Sequence, residues 1–353
     1  MKLTDRKWEE FKIDEIFKIE SGKRLESKNY VEGDRPFIGA IDSNNGVSAF
    51  VSNTNSSLDK NVLGVNYNGS MCEAFYHPYE CIFSDDVKRF HLKHHKDDEN
   101  VFLFFKAIIL KQKAKYNYTY KFNANRMNRQ IIKVPVNSRG EPDYEFMAKY
   151  IIELKAVVLK NNVEYCKQQT ELLKYKDIPS FDEKKWKAFF IGGDQGIFEL
   201  RSTNSGIDKN KLIDSDDCTV PYITRTDINN GVNIFVGKEQ NNKYKIDPKN
   251  VITIGLDTQT VFYQPHSFYT GQNIQVLSND YLNKYSSLFI VKLLKIQLQK
   301  FNWGGNGATL GRLMRTKIML PVDDSGSPDY DYMEQHTRNM MVKKYKHYLD
   351  YIG

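Results

Sequence analysis

The first half of this chain returns in its second half, in the same order and at nearly constant spacing. Whatever fold the first copy adopts, the second must adopt as well. Lys7-Trp8 recurs as Lys185-Trp186, Pro36-Phe37-Ile38 as Pro221-Tyr222-Ile223, Asn45-Gly46-Val47 as Asn230-Gly231-Val232, and Phe75-Tyr76-His77-Pro78 as Phe262-Tyr263-Gln264-Pro265. The end of each copy matches best. Arg126-Met127-Asn128-Arg129 answers to Arg312-Leu313-Met314-Arg315, Pro135-Val136 to Pro321-Val322, and Gly140, Pro142-Asp143-Tyr144 and Met147 to Gly326, Pro328-Asp329-Tyr330 and Met333. The offset grows from 178 at the tryptophans to 186 at the last match, so the second copy gains eight residues net.

Each copy reads as mixed short strands and turns, with Asn-Asn-Gly turn signals before β-branched residues. An apolar, helix-like block follows at 101–113 and again at 286–300. Then come a polar basic loop, a short strand ending in proline, a turn (137–140 and 323–326) and a long helix with proline in its first turn, where a missing N–H costs nothing. The first such helix is expected over 142–177, with an apolar stripe at Met147, Ile151, Leu154, Val158, Tyr165 and Leu172 that has coiled-coil character. At ~1.5 Å per residue it is a rod of roughly 54 Å. The expected fold class is α+β: two tandem globular α/β domains at 1–141 and 179–327, joined by long antiparallel coiled-coil helices at 142–178 and 328–353 with pseudo-two-fold symmetry. Pairing of the helices would let each cover the other's stripe.

The 353 residues have room for two such cores, and 40% hydrophobic with 27% charged content is that of an ordered globular protein. The start of the chain shows no basic-then-apolar leader, and the densest apolar run, 101–110, is too short to span a bilayer, so no membrane partner and a cytoplasmic location are expected. Cys72, Cys81, Cys166 and Cys218 show no C-x-x-C spacing and fit reduced thiols.

The formal charge of +7 is modest and its placement is more telling. Between Glu99 and Glu141 there is no acidic residue but nine basic ones, and between Asp280 and Asp323 again none against seven. An acid-free stretch at the same place in both copies points to a polyanion as partner. Within these stretches the segments 116–125 and 301–310 mix aromatics, amides and nearby cations. Asn and Arg side chains there can address adenine and guanine edges while cations hold phosphates. The candidate contacts to double-stranded DNA are Lys121, Asn123, Asn125, Arg126, Arg129, Asn306, Thr309, Arg312 and Arg315. The two segments differ strongly although their flanks match, as expected of one scaffold reading two base sequences.

Catalytic signatures are missing. There is no Asn/Asp-Pro-Pro-aromatic tetrad of an amino-methyltransferase, and the glycines of 304–311 have the wrong spacing for a dinucleotide loop, so no cofactor is expected. Asp143, Glu153 and Lys155 imitate a metal-dependent nuclease pattern, but they fall on one helix, whereas that site needs carboxylates on neighbouring strands, which weighs against it. Cys72, His77, Cys81 and His91 fit no zinc-finger spacing, and no metal is expected. Trp8 and Trp186 read as packing anchors.

Two variable globular units, each ending in a proline-terminated strand, a G-x-P-D-Y turn and a long helix, resemble the specificity subunits of Type I restriction-modification systems. They are still more similar to those of the BcgI-like Type IIB enzymes, through Gly326-x-Pro328-Asp329-Tyr330, Gly255-Leu256-Asp257-Thr258 and Thr270-Gly271-Gln272-Asn273. The resemblance implies two target-recognition domains, each reading one half of a bipartite DNA site. It also implies helices that set the gap and dock a methyltransferase or a combined restriction-modification subunit. A specificity subunit is not itself an enzyme. The other readings are a self-sufficient nuclease using Asp143 and Glu153 and a nucleic-acid-binding module or scaffold unrelated to restriction.

Overall fold

A computed structural model of the chain describes residues 1–116, 120–301 and 307–353. The chain divides into two compact units, Met1–Asn162 and Val163–Gly353.

In the first unit, β1 (Lys7–Lys12), a one-turn helix α1 (Ile13–Ile16) and β2 (Phe17–Ser21) lead into β3 (Glu32–Ile38) and β4 (Val47–Val51). They are followed by β5 (Val62–Asn66), β6 (Ala74–His77), β7 (Ile82–Phe83) and β8 (Val87–Leu92), then α2 (Glu99–Leu110), α3 (Ala124–Arg129), β9 (Ile131–Val136) and α4 (Tyr144–Leu173), whose last turns belong to the second unit. A four-stranded sheet has the order β2-β8-β5-β6, a three-stranded sheet the order β4-β3-β7, and β1 pairs with β9. The second unit runs β10 (Trp186–Phe190), β11 (Glu199–Ser202), β12 (Val220–Ile223), β13 (Val232–Val236), β14 (Val251–Gly255), β15 (Val261–Gln264), β16 (Tyr269–Thr270) and β17 (Ile274–Ser278). It closes with α5 (Lys284–Leu298), α6 (Leu310–Met314), β18 (Lys317–Pro321) and α7 (Tyr330–Ile352). Its sheets, β11-β17-β14-β15, β13-β12-β16 and β10-β18, repeat the order of the first unit strand for strand. The repeated sequence has become a repeated topology.

Both central helices form for the same local reasons. Asp98 caps α2 by accepting from the Asn100 and Val101 amides, and Asn283 caps α5 through Tyr285 and Ser286. Val101, Phe102, Phe104, Phe105 and Ile109 then bury one face of α2 with Phe17, Leu63 and Phe90 of the sheet, while Ile290, Leu294 and Leu298 of α5 join Ile252, Ile254 and Leu277. The match extends to side chains. Tyr76 donates to Asn61 and Tyr263 to Asn250, both at 2.7 Å, and Lys106 lies over Phe75 as Lys295 lies over Phe262, both 4.8 Å from the ring centre.

The closing turns also coincide. Asn137 Oδ1 accepts from the amides of Arg139 and Glu141, and Asp323 Oδ1 from those of Ser325 and Ser327. Gly140 and Gly326 follow in the left-handed region, at φ +77° and +81°. The prolines after them fall outside the helices, where Pro142 bridges to Val136 and Pro328 to Val322. The caps are the aspartates one residue later: Asp143 accepts from the Phe146 amide and Asp329 from that of Tyr332, both at 2.9 Å.

The first long helix is shorter than the sequence predicts, 30 residues from Tyr144 to Leu173. Met147 and Ile151 are buried in the first core, and Cys166 and Leu173 are buried in the second unit. Leu154, Val158, Tyr165 and Leu172 of the expected stripe stay exposed. The stripe read along 142–177 is therefore not one continuous buried seam. Within the second unit the last turns of α4 run antiparallel to α7: Tyr165 meets Tyr345 edge-on at 6.0 Å, whereas Lys174 O accepts from Gln335 and Lys176 exchanges two hydrogen bonds with Asn339.

Candidate nucleic-acid interface

The polar segment after α2 reads as loop in the sequence, but its second half is helical in both units. Asn123 caps α3 by accepting from the Arg126 amide at 3.1 Å, and Met127 sinks fully into the core. Leu313 pins α6 in the same way, with Thr309 at the cap position but making no side-chain cap bond. One turn of helix, nailed down by one apolar residue, turns the flanking arginines outward. Arg129 and Arg315 are exposed, as are Asn125 and Thr309.

Arg126 and Arg312 are held alike. Arg126 Nη1 donates to Lys121 O at 2.7 Å and Arg312 Nη1 to Gly307 O at 2.9 Å. The Arg126 guanidinium also stacks on the Tyr120 ring, 3.7 Å from its centre. These two arginines therefore brace the loops that precede their helices as well as facing outward. Asn123 is likewise committed in part to its cap. Asn306 lies outside the described residues.

In the first unit the predicted residues converge on a groove of about 1060 Å³ lined by Asn123, Asn125, Arg126 and Arg129 together with Lys111, Lys115 and Lys133. Lys121 is not in its wall. Among the described residues of the lining Glu10 is the one acid, against five cations, and it stands 3.7 Å from Lys133. The groove has aromatic walls: Tyr116 and Tyr120 stack at 5.7 Å, and burial pushes the Tyr116 phenol up to about 12, so its hydroxyl stays neutral and donates to Gln130 at 2.6 Å. Fixed cations, amides and flat rings on one wall suit an acidic, base-bearing chain. Trp8 and Lys111 join it beyond the residues that the sequence singles out. For Lys111 the available signal was its place in the acid-free basic stretch between Glu99 and Glu141.

The remaining candidates resolve into structural roles. Asp143 is the cap of α4 and accepts from Arg6 at 2.8 Å, while Lys155, farther along the helix, pairs with Glu99 at 2.6 Å. Cys72 and Cys81 are buried, which raises each thiol to about 12, and burial drives His77 down to about 4. His91 is clamped between Asp59 Oδ2 (2.9 Å) and Asp97 Oδ2 (2.7 Å), hydrogen bonds that raise it to about 9. Among the described residues no group of three or more His, Cys, Asp or Glu side chains is placed to hold a metal ion. Nor is any described helix long and apolar enough to cross a membrane. Trp8 and Trp186 act as anchors, each donating its indole N–H to the carbonyl five residues earlier, Leu3 at 2.9 Å and Phe181 at 3.0 Å.

A duplicated α/β unit with a basic groove beside a proline-ended strand defines a class, and comparison with known proteins agrees. The family model of the Type I restriction modification DNA specificity domain matches residues 5–165 and again 183–347, so the chain belongs to that family and carries the domain twice. It is 54% identical over 162 residues to the specificity subunit S.BcgI of a Type II restriction enzyme from Heyndrickxia coagulans. That match spans 46% of this chain and 48% of S.BcgI. The Type I restriction-modification S subunit of M. genitalium shares the fold at a TM-score of 0.51, with 14% identity over 99% of this chain and 92% of that one. The sequence-based fold class, two tandem α/β domains with long helices, holds.

Proposed function

We propose that this chain is the sequence-specific DNA-binding specificity subunit of a restriction-modification complex and does no catalysis itself. Residues 1–141 and 179–327 each read one part of a bipartite site in double-stranded DNA. The helical segments 142–178 and 328–353 set the gap between the parts and dock a methyltransferase or combined restriction-modification subunit. The observation that carries the reading is the basic groove around Arg126 and Arg129 in the first unit, together with Arg312 and Arg315 at the matching place in the second, where Arg312 is held by a loop carbonyl as Arg126 is. Five cations against one acid in the groove supply the salt-dependent attraction that phosphate backbones require.

The test is enrichment from a pool of randomised duplex DNA by the full 353-residue chain, with and without Mg²⁺. The expected result is one enriched sequence of two conserved parts separated by an unconserved gap, bound and not cut. Cutting by the chain alone would favour the nuclease reading, and binding without sequence preference would favour a general nucleic-acid module.

A further inference from the structure

In the second unit the surface around Arg312 is extended by a loop that the charge pattern does not single out. Ala308 N donates to Leu256 O at 3.0 Å, which ties the segment ahead of α6 to the turn between β14 and β15. The next residue of that turn, Asp257, pairs with the guanidinium of Arg225, which projects from the segment after β12. Arg225 keeps 40% of its side chain exposed and Asp257 22%, so the pair is accessible yet held.

The holding is tight. Gln259 donates to the carbonyls of Leu256 and Asp257 at 3.1 and 2.9 Å, and its own amide donates to Gly255 O at 3.0 Å. The Arg225 stem packs over Gly255, where a Cβ would lie 3.4 Å from Arg225 Cγ, and the turn itself closes on the same glycine, with Thr260 Oγ1 only 2.5 Å from that position.

The first unit has the same hydrogen bonds at the strand ends of this corner, with a turn two residues longer (67–73 against 256–260) and different side chains. Gly39 N donates to Gly46 O as Thr224 N does to Gly231 O, both at 2.8 Å, and Tyr67 N donates to Asp86 O as Leu256 N does to Asn273 O, both at 3.0 Å. Counting on by one residue sets Arg225 against Ala40 and Asp257 against Asn68. A frame conserved in hydrogen bonds and varied in chemistry at two adjacent positions is where discrimination between two targets is written.

We infer that Arg225, aimed by Asp257, is a specificity-determining residue of the second unit that reads a guanine edge. The inference rests on the DNA-binding reading above. A guanidinium carries more donors than one carboxylate can accept, so the pairing leaves some for the O6 and N7 acceptors of guanine. The adjacent carboxylate opposes a phosphate but not a neutral base edge, and it can accept from a cytosine amine. Preorganisation by the loop removes much of the entropy cost of ordering a long side chain.

The experiment enriches randomised duplex DNA with the full parent chain, Arg225→Ala and Arg225→Lys. The parent is expected to select a G·C pair in one part of its site. Both variants are expected to lose preference at that pair by about five- to hundredfold while the other positions keep theirs. The salt dependence of Arg225→Lys binding should match that of the parent. Lysine keeps the charge and stem without the fork, so a folded Arg225→Lys chain with full preference overturns the proposal even if Arg225→Ala misfolds. Arg225→Ala binding weakened equally on all sequences, with the log K against log salt slope flattened by about one unit, would mark a phosphate-binding role and also overturn it. A parent that enriches no sequence refutes the DNA-reading function itself, a different outcome from either.

Discussion

Trp186 stands directly opposite Pro321 in an antiparallel pair, and Trp8 stands opposite Pro135 in the same register. The two residues that mark the start and the end of each sequence copy thus meet across one two-stranded sheet, closing each unit on itself. Each tryptophan also packs on an aromatic of its central helix, Trp8 on Phe104 at 6.1 Å and Trp186 on Phe289 at 6.3 Å. Replacing Trp8 or Trp186 with alanine removes a large, partly buried anchor and should cost about 2–3 kcal/mol, somewhat less than a fully buried aromatic. Chemical denaturation of each variant measures this, and an unmoved midpoint in both would show that the sheet closes without its anchor.

The aspartate caps carry a second joint. Asp143 accepts from Arg6 and Asp329 from Lys184 at 2.6 Å, so in each unit a cation just ahead of the anchor strand meets the N-terminus of the long helix. Asp143→Ala and Asp329→Ala lose a cap and an ion pair together and should each destabilise by about 1–2 kcal/mol. Asparagine at either position keeps the cap and should recover most of that loss. Thermal melts of the alanine and asparagine variants decide it: equal Tm values for the two substitutions would mean that the charge, not the cap, carries the effect.

Two histidines of the first unit give stability opposite pH dependences. His91 is raised to about 9 by its hydrogen bonds to Asp59 and Asp97, so its contribution is complete below the unfolded value near 6.5 and fades as pH rises through 9. His77 is lowered to about 4 by burial, so its contribution is complete above 6.5 and fades as pH falls toward 4. The first unit should therefore be most stable near pH 6.5. His91→Gln should flatten the alkaline limb, whose full depth is at most about 3 kcal/mol. Denaturation midpoints from pH 5 to 9.5 test this, and an alkaline limb that survives the substitution assigns it to other groups.

If the exposed arginines hold DNA, Arg129→Ala and Arg315→Ala should each weaken binding. Where the arginine grips a phosphate, its removal flattens the salt slope by roughly one unit; where it reads a base edge, discrimination in one part of the site relaxes by ~1–3 kcal/mol. Arg126→Ala and Arg312→Ala should do more harm, because each also supports its loop through Lys121 O or Gly307 O. Titrations at several salt concentrations read the difference, and wild-type affinity and slope in Arg129→Ala and Arg315→Ala would remove both from the interface.

How much of the molecule is legible in its sequence follows the physics of each feature. The repeat, the helix blocks and the closing turns are local and periodic, so matched residues such as Trp8 and Trp186 already announce a matched sheet order. The caps sit one residue beyond the prolines that point to them, because a proline is as acceptable just before a helix as in its first turn. The short helices after the basic loops escape a sequence reading because a single turn has no periodicity, only a buried Met127 or Leu313 to hold it. The stripe on α4 suggests one covering partner along its whole length. Its ends belong to different units instead, and apolar spacing alone does not say which stretch of a helix is covered. The groove of the first unit is half legible: charge counting finds Arg126 and Arg129, but the part taken by Trp8 depends on the meeting of distant strands that no local pattern records, as does the separate Arg225–Asp257 corner of the second unit.

The last prediction concerns α4 as a spacer. Ile152, Leu154, Val157, Val158 and Leu159 are all exposed, so a heptad inserted after Leu159 adds helix where no core is disturbed. Seven residues lengthen the helix by ~10 Å and keep its apolar positions in phase. Base pairs stack at ~3.4 Å, so if the helix fixes the separation of two readers, the unconserved gap in the enriched site should widen by up to about three base pairs while the conserved parts stay unchanged. Three base pairs also rotate the groove by nearly a third of a turn at ~10.5 per turn, which limits how well a partner subunit can follow and should lower the activity of the assembled complex. Enrichment of randomised duplexes by the lengthened chain reads gap and parts together. An unchanged gap would mean that this helix is a tether, and altered parts would mean that it shapes the reading surfaces themselves.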